Sequence, residues 1–301
     1  MGALKTALFS DMAKDVVGRI KIANLGVDAS VYQLPTNVFR LTPNDLKLPL
    51  RQCQNSHKGT YGHCAIIVGN KPGAALMTAQ AAFTFGAGLV SAIGHASASI
   101  PPYIMHDGDV PQNANVLAVG MGLGPATSES LKQQLALPIP KVIDADLFYQ
   151  PIILTILEQP NLVLTPHPKE FCQLLALCDI AQIDVQTLQH NRFNYVEAFN
   201  RRYPHVVLLL KGANTLITYN NKFYINDLGS AALAKGGSGD VLAGLIAALL
   251  AQGYHGLDAA ISGSLAHALA IKQVEKQDYA ITPIDIINGV STLTLMDSHN
   301  E

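Results

Sequence analysis

Residues 235–250 combine a glycine-rich loop with an apolar run: Lys235-Gly236-Gly237-Ser238-Gly239-Asp240, then Val241-Leu242-Ala243-Gly244-Leu245-Ile246-Ala247-Ala248-Leu249-Leu250. The run is typical of a buried helix. The glycines before it let successive backbone N–H groups converge on one anion, and the positive end of the helix dipole adds to the attraction. The loop and helix together therefore predict a phosphate site at this helix N-terminus.

Asp240 has two interpretations at this position. It is the N-cap of the helix, or it is a base that takes a proton from a hydroxyl group while neighbouring amides stabilise a phosphoryl group. The glycine run that precedes it favours the base.

Short apolar runs precede this helix along the chain, at 65–68, 89–92, 116–119, 141–143, 162–164 and 206–210. They are continuously apolar, as expected of strands that are covered on both faces. Helix-like stretches alternate with them at about 74–86, 129–135, 168–177 and 185–202, and a last helical block covers 241–274 with a break near 253–257. This alternation predicts an α/β fold: a doubly wound, mostly parallel sheet with helices on both faces.

The first part of the chain differs from the rest. Pro43 and Pro49 interrupt it, and only 13–22 has persistent apolar character. We therefore expect residues 1–47 to form an arm or linker and residues 48–301 to form one domain.

Composition excludes several classes of protein. Of 301 residues, 49% are hydrophobic and only 14% charged, against about 25% charged in typical soluble chains, so much of the chain must be buried and disorder is excluded. The formal net charge of -2 provides no basic field, so we expect no nucleic-acid partner. The apolar run 241–251 is shorter than the roughly 20 residues that span a bilayer, and the N-terminus lacks a signal-peptide core, so we expect no membrane association and a cytoplasmic location. The four cysteines have no metal-site spacing, and we assign no metal ligand to them.

Open parallel sheets bind ligands beyond the carboxyl ends of their strands, and four further loops occupy such positions. The first contains Gly120, Gly122 and Gly124, but Pro125 stands where a dinucleotide-binding motif needs its third glycine. A wall against a ligand and a tight turn both remain open for this loop. Asp144 and Asp146 follow the next strand, where they could hold a cation, although we expect one of the two to cap a short helix.

The other two loops contain basic side chains. His167 lies between Pro166 and Pro168, which suits either a rigid turn or the precise presentation of a polar group at a helix start. Lys211-Gly212-Ala213-Asn214-Thr215 lies between two apolar runs, which predicts a hairpin or a phosphate-facing loop. It lacks the complete P-loop pattern.

These loops resemble those of the ADP/ATP-dependent NAD(P)H-hydrate dehydratases, which are ribokinase-like proteins. The similarity covers about residues 48–295 and rests on seven motifs in order: His57-Lys58-Gly59-Thr60-Tyr61-Gly62, Pro72-Gly73-Ala74-Ala75, 120–124, Asp144-Ala145-Asp146, 164–170, 210–215 and 236–244. One departure is visible, because 228–235 lacks the Asn-Pro-Gly and the threonine that are usual before the glycine pair.

The resemblance implies a function and a set of site residues. The hydrate of NADH or NADPH would lie against Ala74, Gly124, His167 and Asp240, with Asp240 as the catalytic base. ADP or ATP would lie along Lys211, Gly212, Ala213, Asn214, Thr215 and Gly239, next to the phosphate cradle of Gly236, Gly237 and Ser238. The reaction would phosphorylate the ring hydroxyl, eliminate phosphate and require Mg²⁺. The choice between ADP and ATP stays open.

The first 32 residues are similar to the end of an NAD(P)H-hydrate epimerase domain, so we expect a fused or partner epimerase domain, and also a homo-oligomer. Two alternative functions remain. One is a small-molecule alcohol kinase of the same superfamily, which would stop at the phosphorylated alcohol. The other is a nucleotide-binding sensor without turnover, suggested by the altered 230–235 segment. The loops around His167 and Lys211 favour the dehydratase over the kinase, and Asp240 argues against the sensor.

Overall fold

The computed structural model describes residues 3–32, 36–94, 99–125 and 128–294, so residue 295 of the similar region lies outside it. Within these ranges, the strands form a single sheet. They are β1 (Val38–Arg40), β2 (His63–Ile67), β3 (Leu89–Ile93), β4 (Met105–Asp107), β5 (Val116–Val119), β6 (Lys141–Ile143), β7 (Leu162–Leu164), β8 (Val207–Leu210), β9 (Thr215–Tyr219) and β10 (Lys222–Asn226). The helices are α1 (Pro72–Thr84), α2 (Glu129–Leu135), α3 (Pro168–Leu177), α4 (Val185–His190), α5 (Arg192–Arg202), α6 (Ser238–Ala251), α7 (Gly256–Ala270) and α8 (Pro283–Val290).

The strand order is β1-β10-β9-β8-β7-β6-β5-β2-β3-β4. The strands from β4 across to β8 are parallel, and β9 is antiparallel to both of its neighbours, β8 and β10. The chain winds outward in both directions from the β2/β5 pair, which makes the carboxyl-end crevice there the expected ligand site. The prediction of a doubly wound, mostly parallel α/β sheet is confirmed.

Alternate residues of the strands enter two separate cores. In β2, Cys64 and Ile66 pack in one cluster, with residues of α1, α6, α7 and α8. Ala65 and Ile67 pack in the other, with residues of α2, α3, α4 and α5. Continuously apolar strands are required because both faces of the sheet are covered by helices.

Several elements differ from the sequence prediction. The stretch 185–202 forms two helices, because the backbone of Asn191 leaves the helical conformation between α4 and α5. The edge strands β1 and β4 are short and lack an apolar run, so periodicity did not indicate them. Helix α8 was also missed, although Thr282 and Asp285 form a capping box at its start that the sequence shows.

The expected boundary near residue 47 lies inside the packed structure. Strand β1 pairs with β10, and Leu41 and Leu46 are buried in the first core. Earlier residues form short 3-10 turns at Thr6–Phe9 and Asp11–Ala13, and Phe9 is buried in the second core. None of the helices in the described ranges has the length and apolar character needed to cross a bilayer.

Helix α6 lies between α1 and α7 and is buried along almost its whole length. Thr78 of α1 donates its hydroxyl hydrogen to the Asp240 carbonyl oxygen at 3.0 Å. This contact and the burial of α6 together fix the first turn of α6, and the loop that precedes it, relative to the sheet.

We expect Gly244→Ala to lower the free energy of unfolding by about 1–3 kcal/mol, because overpacking at a close helix contact must be relieved by movement. A Cβ atom at Gly244 would lie 2.3 Å from the Thr78 carbonyl oxygen of α1. Urea unfolding measures the loss. The matched control is Gly73→Ala, whose Cβ would meet no described heavy atom within 4 Å. Equal stability of the two variants would contradict close α1/α6 packing.

Candidate active site

The glycine-rich loop turns directly into α6. Gly237 occupies the N-cap position in the left-handed conformation, with φ of 92°, and α6 begins at Ser238. Asp240 is therefore the third residue of the helix, and its interpretation as the N-cap is wrong. The half-buried carboxyl group lies in the first turn of the helix, where the backbone amides have no partner within the helix.

The pKa of Asp240 is raised to about 6, first by burial and then by the negative charge of Asp144, with Asp146 and Glu170 adding to it. The ammonium group of Lys211 opposes this increase. A carboxyl group with a pKa near the working pH suits general base catalysis, since it is both ionised and basic enough to accept a proton.

Lys211, at the end of β8, lies among acidic groups. Its Nζ atom is 2.7 Å from Asp144 Oδ1 and 3.9 Å from Glu170 Oε2. Burial lowers the pKa of Lys211, but the charges of Asp144, Glu170 and Asp240 outweigh burial and raise it above its usual value. The ammonium group therefore stays charged and balances only part of the negative charge around it.

The two aspartates after β6 have separate partners. Asp144 precedes the 3-10 helix Ala145–Tyr149, and its carboxylate pairs with Lys211 instead of capping that helix. Asp146 accepts a hydrogen bond from the Gly124 amide at 2.9 Å. The expectation that one of the two caps a helix is wrong. The Asp144 carboxylate instead accepts a hydrogen bond from Lys211, and the Asp146 carboxylate accepts one from the Gly124 amide.

His167 is the N-cap of α3. Its Nδ1 atom accepts hydrogen bonds from the Lys169 and Glu170 amides, and its Nε2 atom lies 3.0 Å from Glu170 Oε1. The proton is therefore on Nε2 in the neutral ring. Burial raises the pKa of Glu170, but hydrogen bonds from His167 and the charge of Lys211 outweigh it, so that pKa lies below its usual value. Glu170 was not among the predicted site residues, although the spacing His167-x-x-Glu170 is that of a capping box.

A pocket of about 670 Å³, here called the main pocket, opens beside this cluster. It brings together predicted nucleotide residues from two distant loops, namely Lys211, Gly212, Ala213, Thr215, Gly236, Gly237, Ser238 and Gly239. His167, which was predicted to contact the hydrate, lines this same pocket and is 44% exposed.

Asn214 is the predicted nucleotide residue that the structure places elsewhere. Its side chain is buried and faces the N-terminal segment, where its amide nitrogen donates to the carbonyl oxygens of Phe9 and Ser10. Its amide oxygen accepts a hydrogen bond from Lys14. Asn214 is not among the residues that line the main pocket, and its contact with a nucleotide stays a prediction.

A second, smaller pocket of about 400 Å³ contains Gly124 and Asp146. Within the glycine loop, the Leu123 amide donates to the Gly120 carbonyl at 3.2 Å, which is the hydrogen bond of a tight turn. Ala74, the remaining predicted substrate residue, is half-buried at the start of α1, close to Gly122. The loop is therefore a turn with one glycine that lines a pocket, and its contact with a ligand stays a prediction.

Ser238 and His267 form a further pair in the main pocket, and their contact was not predicted from the sequence. Ser238 Oγ lies 3.1 Å from His267 Nε2, and burial lowers the pKa of His267 to about 4. The imidazole is therefore neutral at pH 7. The two residues belong to different helices, 29 positions apart, and local sequence contains no signal of their contact.

The chain is similar to several known proteins. A family model described as NAD(P)H-hydrate dehydratase matches residues 64–291. A bifunctional NAD(P)H-hydrate repair enzyme of Helicobacter pylori is 46% identical over 298 residues, which cover 97% of this chain and 63% of that protein. An ADP-dependent (S)-NAD(P)H-hydrate dehydratase of Neisseria meningitidis is 34% identical over 252 residues, 75% of this chain and 81% of that protein.

The chain spans between about half and two thirds of the length of the bifunctional relatives, such as that of Escherichia coli, of which it covers 54%. Among solved structures, the ADP/ATP-dependent NAD(P)H-hydrate dehydratase of Bacillus subtilis, co-crystallised with ATP and Mg²⁺, has a TM-score of 0.69 at 26% identity. The match covers 85% of this chain and 97% of that chain.

Proposed function

Because this chain belongs to the NAD(P)H-hydrate dehydratase family, we propose that it returns hydrated NADH and NADPH to NADH and NADPH with ADP or ATP as co-substrate. One observation carries the proposal. The carboxyl group of Asp240, with a pKa of about 6, lies in the first turn of α6, directly after the glycine cradle. We infer that this places a base beside a phosphate site.

The proposed reaction converts a poor leaving group into a good one. The hydrate carries a hydroxyl group on a saturated carbon of the nicotinamide ring. Asp240 takes the hydroxyl proton, the hydroxyl oxygen bonds to the terminal phosphorus, and the phosphoanhydride bond breaks. The lone pair of the ring nitrogen then expels phosphate, and loss of a proton from the adjacent ring carbon restores the double bond. With ADP, the products are the reduced coenzyme, AMP and phosphate.

The surrounding groups have separate roles in this proposal. The amides at the start of α6 stabilise the charge of the transferring phosphoryl group. Lys211 faces the phosphates and limits repulsion between them and the carboxylates of Asp144 and Glu170. We assign the main pocket to the nucleotide, and the smaller pocket with Gly124, together with Ala74 and His167, to the hydrate.

A magnesium ion fits the chemistry of the donors. In the described ranges, no three His, Cys, Asp or Glu side chains gather as a complete metal cage. Mg²⁺ commonly binds through one or two carboxylates together with substrate phosphates, so a complete cage is not required. Asp146, half-exposed beside Gly124, is the side chain that we propose to hold it. Bound Mg²⁺ supplies charge neutralisation on the transferring phosphoryl group.

The partners and location are part of the same proposal. We propose that the reaction takes place in the cytoplasm, that the chain forms a homo-oligomer, and that an epimerase domain acts with it, either fused or as a separate protein. The bifunctional relatives, which are longer than this chain, support an association with a second repair activity.

The test is incubation of the protein with hydrated NADH, Mg²⁺ and either ADP or ATP, while the absorbance of reduced nicotinamide is followed. We expect the absorbance to return in step with phosphate release and to stay flat without nucleotide. A phosphorylated hydrate that accumulates without recovery of absorbance would identify a kinase instead. Nucleotide binding without either product would identify a sensor.

We expect kcat/KM to fall as the pH decreases through about 6, because protonation of Asp240 removes the base. The carboxyl group must be ionised to accept a proton, so activity is retained above its pKa and lost below it. Initial rates measured between about pH 5 and pH 8 give the profile. A profile that is flat across this range would contradict the role of Asp240 as base.

A further inference from the structure

The N-terminal segment from Phe9 to Lys14, here called the clamp, packs on the loop that connects β8 to β9. Phe9 is 3% exposed and anchors the clamp in the second core. The clamp lies outside residues 64–291, the part of the chain that the family model matches. The residues of the clamp are therefore not part of the family match.

The clamp holds the β8–β9 loop by hydrogen bonds to a single buried residue. Asp11 Oδ1 accepts the Asn214 backbone N–H at 2.9 Å. The Asn214 side-chain amide donates to the carbonyl oxygens of Phe9 and Ser10 at 3.0 and 3.3 Å. Lys14 Nζ donates to Asn214 Oδ1 at 3.2 Å and to the Asp227 carbonyl oxygen at 2.6 Å. Every polar group of the Asn214 side chain thus faces the clamp.

Arg192 of α5 supports the loop from the same side. The residue is 3% exposed, and its guanidinium group pairs with Asp11 and donates to the carbonyl oxygens of Leu210, Lys211 and Asn214. Burial lowers the pKa of Arg192, while the charge of Asp11 and its hydrogen bond counter that effect. Asp11 therefore binds the β8–β9 loop directly, and it also pairs with Arg192, whose guanidinium group donates hydrogen bonds to the carbonyl oxygens of that loop.

The opposite face of this loop lines the main pocket. Lys211, Gly212 and Ala213 form part of the pocket wall, and Lys14 of the clamp reaches the same wall. The clamp and Arg192 pack directly behind it, since a Cβ at Gly212 would lie 2.3 Å from Asp11 Oδ2 and 2.7 Å from Arg192 Nη2. A shift of the clamp must therefore move the wall that faces the ligand.

We propose that the clamp is part of the nucleotide site. Asp11 is a positioning residue that acts through the β8–β9 loop, and Lys14 is a second clamp residue that holds this loop through Asn214. The inference rests on the proposed function, because it takes the nucleotide to be the ligand of the main pocket. It predicts a selective effect, in which nucleotide affinity depends on the clamp while binding of the hydrate does not.

The experiment measures ADP binding by calorimetry, in the presence of Mg²⁺, for wild type, Asp11→Ala, Asp11→Asn and Lys14→Met. We expect Asp11→Ala and Lys14→Met to weaken ADP binding by about tenfold, as when one charge-assisted hydrogen bond is lost. Asp11→Asn keeps an acceptor for the Asn214 amide and should recover part of the affinity. At saturating ADP, the KM for the hydrate should stay within about threefold of wild type.

A second measurement separates positioning from general destabilisation. Hydrogen exchange of the Asn214 amide should accelerate in Asp11→Ala, because its acceptor is removed. The matched control is Lys47→Ala, which removes the Lys47–Asp258 ion pair between the N-terminal region and α7. We expect that control to bind ADP as wild type does.

Defined outcomes would overturn the inference. If Asp11→Ala does not fold, Lys14→Met decides, since Lys14 is only half-buried. Wild-type affinity for ADP in the folded variants, or equal weakening of ADP and hydrate, would overturn the role of the clamp while leaving the proposed function intact. A wild-type protein that binds no ADP would overturn the proposed function and the inference with it.

Discussion

Asp240→Asn should lower turnover by about 10²–10⁴-fold, the usual effect of removing a general base, and leave ADP affinity close to that of wild type. The amide has nearly the same size and stays in the first turn of α6, but it cannot take a proton from the hydroxyl group of the hydrate. Removal of a negative charge near the phosphates also gives no reason for weaker nucleotide binding.

Turnover of hydrated NADH and calorimetric ADP binding measure the two effects. Asp285→Asn is the matched control, because Asp285 is likewise the third residue of its helix, α8, but is hydrogen-bonded to Lys276 and Thr282. That change should affect stability and not the rate. An Asp240→Asn protein that keeps more than about a tenth of the wild-type rate would remove the base from the mechanism.

The same substitution has a signature in stability. The pKa of Asp240 is raised to about 6 from 3.8, so its contribution to stability is present at low pH and is lost as the pH rises through about 6. Asparagine does not titrate and avoids this loss. The melting temperature of Asp240→Asn relative to wild type should therefore increase from about pH 4 to about pH 8.

Lys211→Met should lower turnover by about 10²-fold or more, the scale found when a preorganised electrostatic group is removed from an active site. Methionine preserves the length of the side chain but leaves Asp144, Glu170 and Asp240 without the ammonium group that they surround. The uncompensated carboxylates repel phosphate. They also raise the pKa of Asp240, so that less of the base is ionised at neutral pH.

Separate titrations with ADP and with hydrated NADH test the location of this charge. We expect ADP to be weakened far more than the hydrate, and the acid limb of the pH profile to move to higher pH. Lys235→Met is the control, because Lys235 also lines the main pocket but donates to the Tyr279 carbonyl oxygen at 2.8 Å. Equal weakening of both ligands by Lys211→Met would place the ammonium group between the two sites instead of against the nucleotide.

The fold and part of the candidate site were predictable because their signals are local. Strands covered on both faces must be continuously apolar, and β5, β6 and β7 have the bounds predicted from their apolar runs. The loops that follow parallel strands lie at one edge of the sheet, which is why the loops at Asp144, His167 and Lys211 could be associated before any contact was known. The glycine run before α6 indicated an anion site for the same kind of reason, since consecutive backbone amides need no distant partner.

The partners of the side chains depend on packing between segments that are far apart in the chain. Lys211 and Asp144 are separated by 67 positions, and Asp11 and Asn214 by 203, so no periodicity or spacing relates them. For this reason the sequence did not predict that Asn214 binds the clamp or that Asp144 pairs with Lys211. A local sequence pattern predicts the element in which a residue lies and the edge of the sheet that it occupies. The packing of the elements determines which charged group it contacts there. A buried polar group forms its hydrogen bonds and ion pairs with the groups that the tertiary fold brings close to it.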